Sequence, residues 1–148
     1  MTWLANKRVV VPIDFSEQSL AAVETAAEWV DGVDQLRLIH VLPQLSAAEP
    51  GVIWQGVTEE SRQKAATKAL HKQLSDSKFA DVDFTIAFGD AGHKIVDFAR
   101  DIGAGLIVMP SHGRTGMTRL LLGSVAERVT RLAHCQVMVL KHGKHEEE

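Results

Sequence analysis

The chain of 148 residues has the length of a single domain and can bury a hydrophobic core without metal or disulfide support. Its formal net charge of -3 gives no electrostatic reason to expect nucleic acid or an anionic membrane surface as a partner. The single cysteine, Cys135, excludes an intramolecular disulfide, and we expect a buried, inert thiol. The N-terminus lacks the pattern of a signal peptide, and no segment has the roughly 20 apolar residues of a membrane span. We therefore expect a cytoplasmic protein.

Five short apolar runs, each bounded by turn or capping residues, predict five β-strands. In chain order they cover residues 8–13, 36–42, 82–88, 106–109 and 137–140. Several are apolar with little alternation, which is typical of strands covered on both faces. The run 82–88 alternates more clearly between apolar and polar residues, which favours a position nearer the edge of the sheet.

Four amphipathic segments lie between these strands and predict helices over residues 16–30, 58–74, 90–102 and 124–133. The buried face predicted for the second helix consists of Ala65, Ala69, Leu70 and Leu74, whereas Val125 is expected on the buried face of the fourth. The alternation of strands and helices predicts right-handed crossovers. The expected fold is therefore a single-domain α/β structure, an open parallel sheet with helices on both faces.

The segment 109–125 carries the strongest indication of function. It joins the fourth predicted strand to a loop containing Gly113 and Gly116, and then to a helix that starts at Gly123-Ser124. Because backbone N–H groups and a helix N-terminus can hold a phosphate, this arrangement predicts a nucleotide site. The glycines could instead serve only to turn the chain. Ligands of open parallel sheets bind where the strand order reverses, and the ends of the first and fourth strands are candidates for that point, which favours the site.

Several polar residues near these strand ends could contact a ligand. Asp14 could bind a ribose hydroxyl or a metal ion, or it could only stabilise the first turn of the helix that follows. His112 could donate to a phosphate, act as an acid or base, or bond to the loop, and Arg114 could assist anion binding or remain solvated. Ser124 could cap the fourth helix and also offer its hydroxyl to a phosphate. The sequence shows no catalytic triad, P-loop or metal-ligand spacing, so we predict neither catalytic nor metal-binding side chains.

Three segments of the chain resemble the universal stress protein family. Residues 10–16, VVPIDFS, resemble the family's opening V-P-x-D-x-S, and Gly89-Asp90 followed by Ile95 resembles the segment after its third strand. Residues 106–140 are similar to the C-terminal signature of the family over their whole length. The resemblance implies an adenine nucleotide α-hydrolase-like, Rossmann-type sheet with the strand order 3-2-1-4-5. It also implies a domain over residues 1–141, followed by a polar tail, 142–148, that we expect to fray.

The ATP-binding branch of this family carries the motif G-x2-G-x9-G-S/T after its fourth strand. Gly113, nine further residues and Gly123-Ser124 match its second half, whereas Pro110 replaces the first glycine and removes an N–H donor. The resemblance and the strand ends together give the predicted binding residues, which are Pro12, Ile13, Asp14, Val41, Met109, Pro110, His112, Gly113, Arg114, Gly123, Ser124 and Val125.

The resemblance further implies a regulatory homodimer of the stress response that binds ATP, or ADP or AMP, with Mg²⁺ and acts on an unknown protein partner. Dimers of the family pair their last strands, here Val137, Met138, Val139 and Leu140, which form an apolar sheet edge. Two alternatives remain open. The first is a protein-interaction module that binds no nucleotide. Pro110 favours this module, whereas the intact spacing of Gly113 and Gly123-Ser124 speaks against it. A slow ATPase is disfavoured by the lack of an evident general base.

Overall fold

The computed structural model describes residues 2–45, 57–111 and 122–141, and in this part of the chain five strands alternate with four α-helices. The strands are β1 (Val9–Pro12), β2 (Leu36–Leu42), β3 (Asp83–Phe88), β4 (Leu106–Pro110) and β5 (Gln136–Leu140). The helices are α1 (Glu17–Trp29), α2 (Glu59–Leu74), α3 (Ala91–Asp101) and α4 (Ser124–Leu132). Single 3-10 turns lie at Thr2–Leu4 and Val33–Gln35. None of the helices in the described residues combines the length and the apolar composition needed to cross a membrane.

All neighbouring strands pair in parallel, in the order β3-β2-β1-β4-β5. The expected strand order is therefore confirmed. From β1 at the centre the chain moves outward through β2 and β3, and then crosses back to β4 and β5 on the other side. The order reverses between β1 and β4, which makes the carboxyl ends of these two strands the switch point of the sheet.

Hydrophobic clusters cover both faces of the sheet. One cluster packs β-strand residues such as Val11 and Leu38 against α1 and α2, and the other packs Val10 and Ile39 against α3 and α4. Because successive strand residues point to opposite faces, burial on both faces requires nearly continuous apolar strands. The two edge strands, β3 and β5, are only half-buried or exposed. Exposed and half-buried residues alternate over the first four residues of β3, and this strand lies at an edge, as its pattern predicted.

The face that α2 buries differs from the prediction. Ala66, Leu70 and Leu74 are buried, whereas Ala65 and Ala69 are exposed. An alanine buries little apolar area, so the two leucines set the rotation of the helix about its axis. The residue four positions before Leu70 is Ala66, and it therefore shares the buried face.

Cys135 lies just before β5 and is half-buried rather than fully buried as expected. Desolvation raises the pKa of its thiol above the ordinary value of 9.0. The thiolate is the reactive form, so a raised pKa keeps the sulfur less nucleophilic at neutral pH. This environment is typical of a structural rather than a catalytic cysteine.

Candidate functional site

A crevice opens between β1 and β4 at the carboxyl end of the sheet. Within these described strands, pairing joins only residues 9 and 10 of β1 to residues 106 and 107 of β4. β1 nevertheless stays paired with β2 as far as Pro12, and β4 stays paired with β5 as far as Pro110. The two halves of the sheet therefore separate over their last residues, at the switch point.

Two prolines allow this separation without leaving a backbone donor unpaired. Ile13 N donates to β2 at 2.7 Å, and Ser111 N donates to β5 at 2.9 Å. Neighbouring residues of a strand direct their N–H groups to opposite sides, so the nitrogens of Pro12 and Pro110 face each other across the crevice. A proline nitrogen carries no hydrogen, and neither strand end therefore leaves an N–H group without an acceptor.

A cavity of about 240 Å³ lies at the crevice. The predicted binding residues that line it are Pro12, Ile13, Asp14, Val41, Met109, Pro110, Gly123, Ser124 and Val125. The other predicted residues, His112, Gly113 and Arg114, lie outside the described part of the chain.

The cavity also has lining residues that the sequence analysis missed, which are Ser19, Ile39, His40, Ala91, Ile95, Ser111 and Ala126. The signal available for His40 was a histidine within the otherwise apolar residues 38–42 of β2. Ala91 and Ala126 come from the first turns of α3 and α4, where small side chains leave room beside the crevice. Apolar walls with a few polar groups are typical of sites for small organic ligands.

The helix α4 starts at the cavity with Gly123, not Ser124, as its N-cap. Ser124 is the first helical residue, so the expected side-chain cap is wrong. The N–H of Gly123 donates to Ser111 O at 2.7 Å, and this donor is therefore already used within the protein. The N–H groups of Ser124 and Val125 belong to the first turn, where no intrahelical acceptor exists. These two amides, at the positive end of the helix dipole, are suited to an anion.

Val125 is 36% exposed and lines the cavity, whereas Ala126 and Val129 form the buried face of α4. The predicted burial of Val125 is therefore wrong. The helix is rotated so that its first valine faces the crevice.

Asp14 follows β1 and lies at the start of α1. Its Oδ1 accepts the N–H of Ser16 at 3.0 Å and also contacts the Ser16 hydroxyl. Ser16 caps α1, as predicted, by accepting the N–H of Ser19 at 3.1 Å. Asp14 thus supports the start of the helix, which was one of its two predicted roles, and it also lines the cavity.

The starts of α3 and α4 are joined beside the cavity by Asp90. Its carboxylate caps α3 by accepting the N–H of His93 at 3.0 Å, and it forms an ion pair with Arg128 of α4. The Arg128 side chain packs against Gly92, where a Cβ would lie within 2.9 Å of three of its carbons. The close approach of the two helices therefore requires glycine at this position.

No cluster of three or more His, Cys, Asp or Glu side chains that could hold a metal ion occurs among residues 2–45, 57–111 and 122–141.

Comparison with known proteins places this geometry in a family. The family model of the universal stress protein family matches residues 5–141. The universal stress protein MJ0531 of Methanocaldococcus jannaschii is 35% identical over 147 residues, which cover 95% of this chain and 85% of the relative. The chain belongs to the universal stress protein family, and the resemblance noted in the sequence is confirmed.

Solved structures show the same fold. The protein MJ0577 of the same organism superposes with a TM-score of 0.70 and 27% identity, covering 93% of this chain and 96% of that one. A universal stress protein described in complex with cAMP has a TM-score of 0.56 and 20% identity, covering 90% and 96% of the two chains. At that identity the likeness shows the fold alone.

We expect Asp90→Asn to lower stability at neutral pH by a few tenths of a kcal/mol, because both Asp90 and Arg128 are partly exposed and solvent screens their attraction. Hydrogen bonds from His93, and to a lesser extent the charge of Arg128, hold the pKa of Asp90 below its ordinary value of 3.8. A lowered folded-state pKa stabilises the protein above the unfolded pKa, and this contribution is lost as the pH falls through the folded value. Urea unfolding at several pH values should therefore show a difference that disappears in acid.

The matched control is Asp101→Asn at the other end of α3, where the carboxylate faces the negative end of the helix dipole and its 3.8 Å ion pair with Arg100 is exposed and screened by solvent. It should be neutral or slightly stabilising. A difference between Asp90→Asn and the wild type that persists unchanged at the lowest pH would contradict the role of the Asp90 charge.

Proposed function

We propose that this chain binds an adenine nucleotide, ATP or else ADP or AMP, at the crevice between β1 and β4, and acts as a cytoplasmic regulatory protein of the stress response. The observation that carries the proposal is one cavity at the switch point, bounded by apolar strand ends on one side and by the start of α4 on the other. A base needs apolar walls, and phosphates need backbone donors. A protein of the same fold is described in complex with cAMP, which is an adenine nucleotide.

The base and the ribose belong at the strand ends. Pro12, Ile13 and Val41 supply apolar surface at the adjacent carboxyl ends of β1 and β2, and Asp14 supplies a carboxylate beside them. A carboxylate after a strand end can accept hydrogen bonds from ribose hydroxyls, as in other doubly wound folds. This arrangement suits a nucleoside better than a purely apolar ligand.

The phosphates belong at the start of α4. The donors there include the N–H groups of Ser124 and Val125, which have no intrahelical acceptor, whereas Gly123 N is bonded to Ser111 O. Gly113 completes the phosphate-binding segment by resemblance, and His112 and Arg114 beside it are proposed as further phosphate donors because of their side chains. Mg²⁺ prefers oxygen ligands and keeps several waters, so in this proposal it bridges the phosphates rather than binding a cluster of side chains.

Pro110 distinguishes this site from the family's motif. Its nitrogen faces the crevice and carries no hydrogen, so one backbone donor that a glycine would offer to the nucleotide is missing. The proposed site therefore binds the nucleotide with one contact fewer. If the missing donor abolishes binding altogether, the chain is the protein-interaction module that the sequence left open.

We also propose a homodimer through β5. The outer edge of β5 has no pairing partner in the described part of the chain, and its Val137, Met138, Val139 and Leu140 are half-buried. The carbonyl oxygen of Leu140 accepts the N–H of Ser111, so the backbone polar groups of Leu140 point toward β4. Those of its neighbour Val139, including its N–H, point outward, away from β4. An apolar, unpaired edge of this kind can pair with a second copy of the same strand.

Isothermal titration calorimetry with ATP, ADP and AMP, with and without Mg²⁺, tests the proposed ligand. We expect saturable binding of at least one adenine nucleotide below millimolar concentration. Asp14→Ala should weaken it about tenfold, since one charge-assisted hydrogen bond is worth about 1.5 kcal/mol. Asp81→Ala, an exposed acid before β3, is the control and should leave binding unchanged. Absence of heat with every nucleotide at millimolar concentration would refute the proposal.

Replacing Pro110 tests the missing donor. Pro110→Ala and Pro110→Gly both restore an N–H group facing the crevice, and we expect ATP to bind about two- to tenfold more tightly. Both variants should unfold at lower denaturant concentration, because the unfolded chain gains freedom without proline. Equal or weaker ATP binding by both variants would show that this position makes no backbone contact.

Light scattering of the purified chain tests the dimer. We expect a dimer at micromolar concentration and a monomer for Val139→Pro, which removes one outward N–H while leaving the bonds between β4 and β5 intact. Val139→Ala keeps that N–H and is the control, expected to remain dimeric. A wild-type monomer, or an unchanged dimer in Val139→Pro, would contradict pairing through this edge.

A further inference from the structure

The turn that joins β1 to α1, residues 13–16 (the Asp14 turn), contains a strained residue. Phe15 has a φ of 65°, in the left-handed region that a bulky side chain rarely adopts. Such conformations persist only where surrounding contacts hold them, and they concentrate at functional sites. The contacts around Phe15 therefore show what fixes the position of Asp14.

His40 of β2 contacts the turn on both sides of Asp14. Its Nδ1 lies 2.6 Å from the carbonyl oxygen of Ile13, and its ring meets the Phe15 ring edge to face with centroids 4.6 Å apart. A carbonyl oxygen only accepts hydrogen bonds, so Nδ1 must carry the hydrogen. His40 is only 9% exposed, and this hydrogen bond is therefore shielded from competing water.

Ser19 of α1 holds the other end of the turn. Its hydroxyl donates to Ser16 O at 2.9 Å and accepts the N–H of Asp14 at 3.4 Å. Ser19 is 1% exposed, so it is fixed within the core. Asp14 therefore lies between two buried side chains, each of which bonds to the backbone of the turn.

We propose that His40 is a positioning residue for ribose recognition: by holding Ile13 and Phe15, it fixes the strained turn in the conformation that directs Asp14 at the nucleotide. This inference rests on the proposed function for its ligand. The hydrogen bond and the ring contact act on the residues before and after Asp14, and loss of the hydrogen bond alone lets the turn relax. A relaxed turn changes the direction of the Asp14 carboxylate, which costs hydrogen bonds to ribose hydroxyls rather than contacts to the base.

Direct contact between His40 and the ligand is the competing account. His40 lines the cavity, and its Nε2 has no hydrogen-bond partner among the described residues. Positioning of the turn uses Nδ1, whereas direct contact with the ligand uses Nε2. An asparagine amide can replace the Nδ1 donor, and a glutamine amide reaches the position of Nε2, so these two substitutions distinguish positioning from direct contact.

The first test measures the affinity of His40→Phe, His40→Asn and His40→Gln for ATP and for 2′,3′-dideoxy-ATP. We expect His40→Phe to weaken ATP binding about tenfold, as for one lost charge-assisted hydrogen bond, while dideoxy-ATP changes less than about twofold. His40→Asn should restore most of the ATP affinity, and His40→Gln should resemble His40→Phe. Equal losses for both nucleotides, or rescue by glutamine but not by asparagine, would overturn the proposal. The asparagine and glutamine variants decide the question even if the phenylalanine variant does not fold.

A second test needs no nucleotide and separates this inference from the proposed function. Native-state hydrogen exchange of the Ser16 amide, which is bonded to Asp14, reports opening of the turn. It should be about tenfold faster in His40→Phe and near the wild-type rate in His40→Asn, with the amides of the core strands unchanged. An unchanged Ser16 rate in His40→Phe would overturn the proposal whether or not the wild type binds ATP.

Discussion

The separation of β1 from β4 is the constraint on which the rest of the site depends. The two strands pair only at their beginnings, and each then stays with its outer neighbour. Separating two central strands normally leaves buried N–H groups without acceptors, which is costly. Pro12 and Pro110 avoid that cost because neither has an N–H group to satisfy. The two prolines therefore let the strands separate at the cavity without leaving an N–H group unpaired.

The same two prolines shape the chemistry of the proposed site. Where a glycine would offer the nucleotide a backbone donor, Pro110 offers none, so recognition depends more heavily on the start of α4 and on Asp14. Both of these are held in place by contacts with other side chains of the chain. The ion pair between Asp90 and Arg128 fixes α4 against α3, and the contacts of His40 and Ser19 fix the turn before α1. Stability of the fold and geometry of the site thus share the same interactions.

The residue pattern was sufficient to predict an open parallel α/β sheet, because strands buried on both faces must be apolar and their helices amphipathic, whereas the strand order came from the resemblance to the family. It also identified the strand ends that line the cavity. What it missed depends on contacts between distant residues. The use of Gly123 N by Ser111 O, which removes a predicted phosphate donor, and the bond of His40 to Ile13 have no local pattern. The predicted burial of Ala65 was wrong for another reason, since a small side chain does not determine which face of a helix is buried.

The crystal structure of the chain with ATP and Mg²⁺ would test the central claim most directly. We expect the adenine at the ends of β1 and β2, the ribose hydroxyls within hydrogen-bonding distance of Asp14, and phosphate oxygens at the N–H groups of Ser124 and Val125. We expect no contact to the nitrogen of Pro110. A nucleotide bound away from the crevice between β1 and β4, or phosphates that do not approach the start of α4, would contradict it.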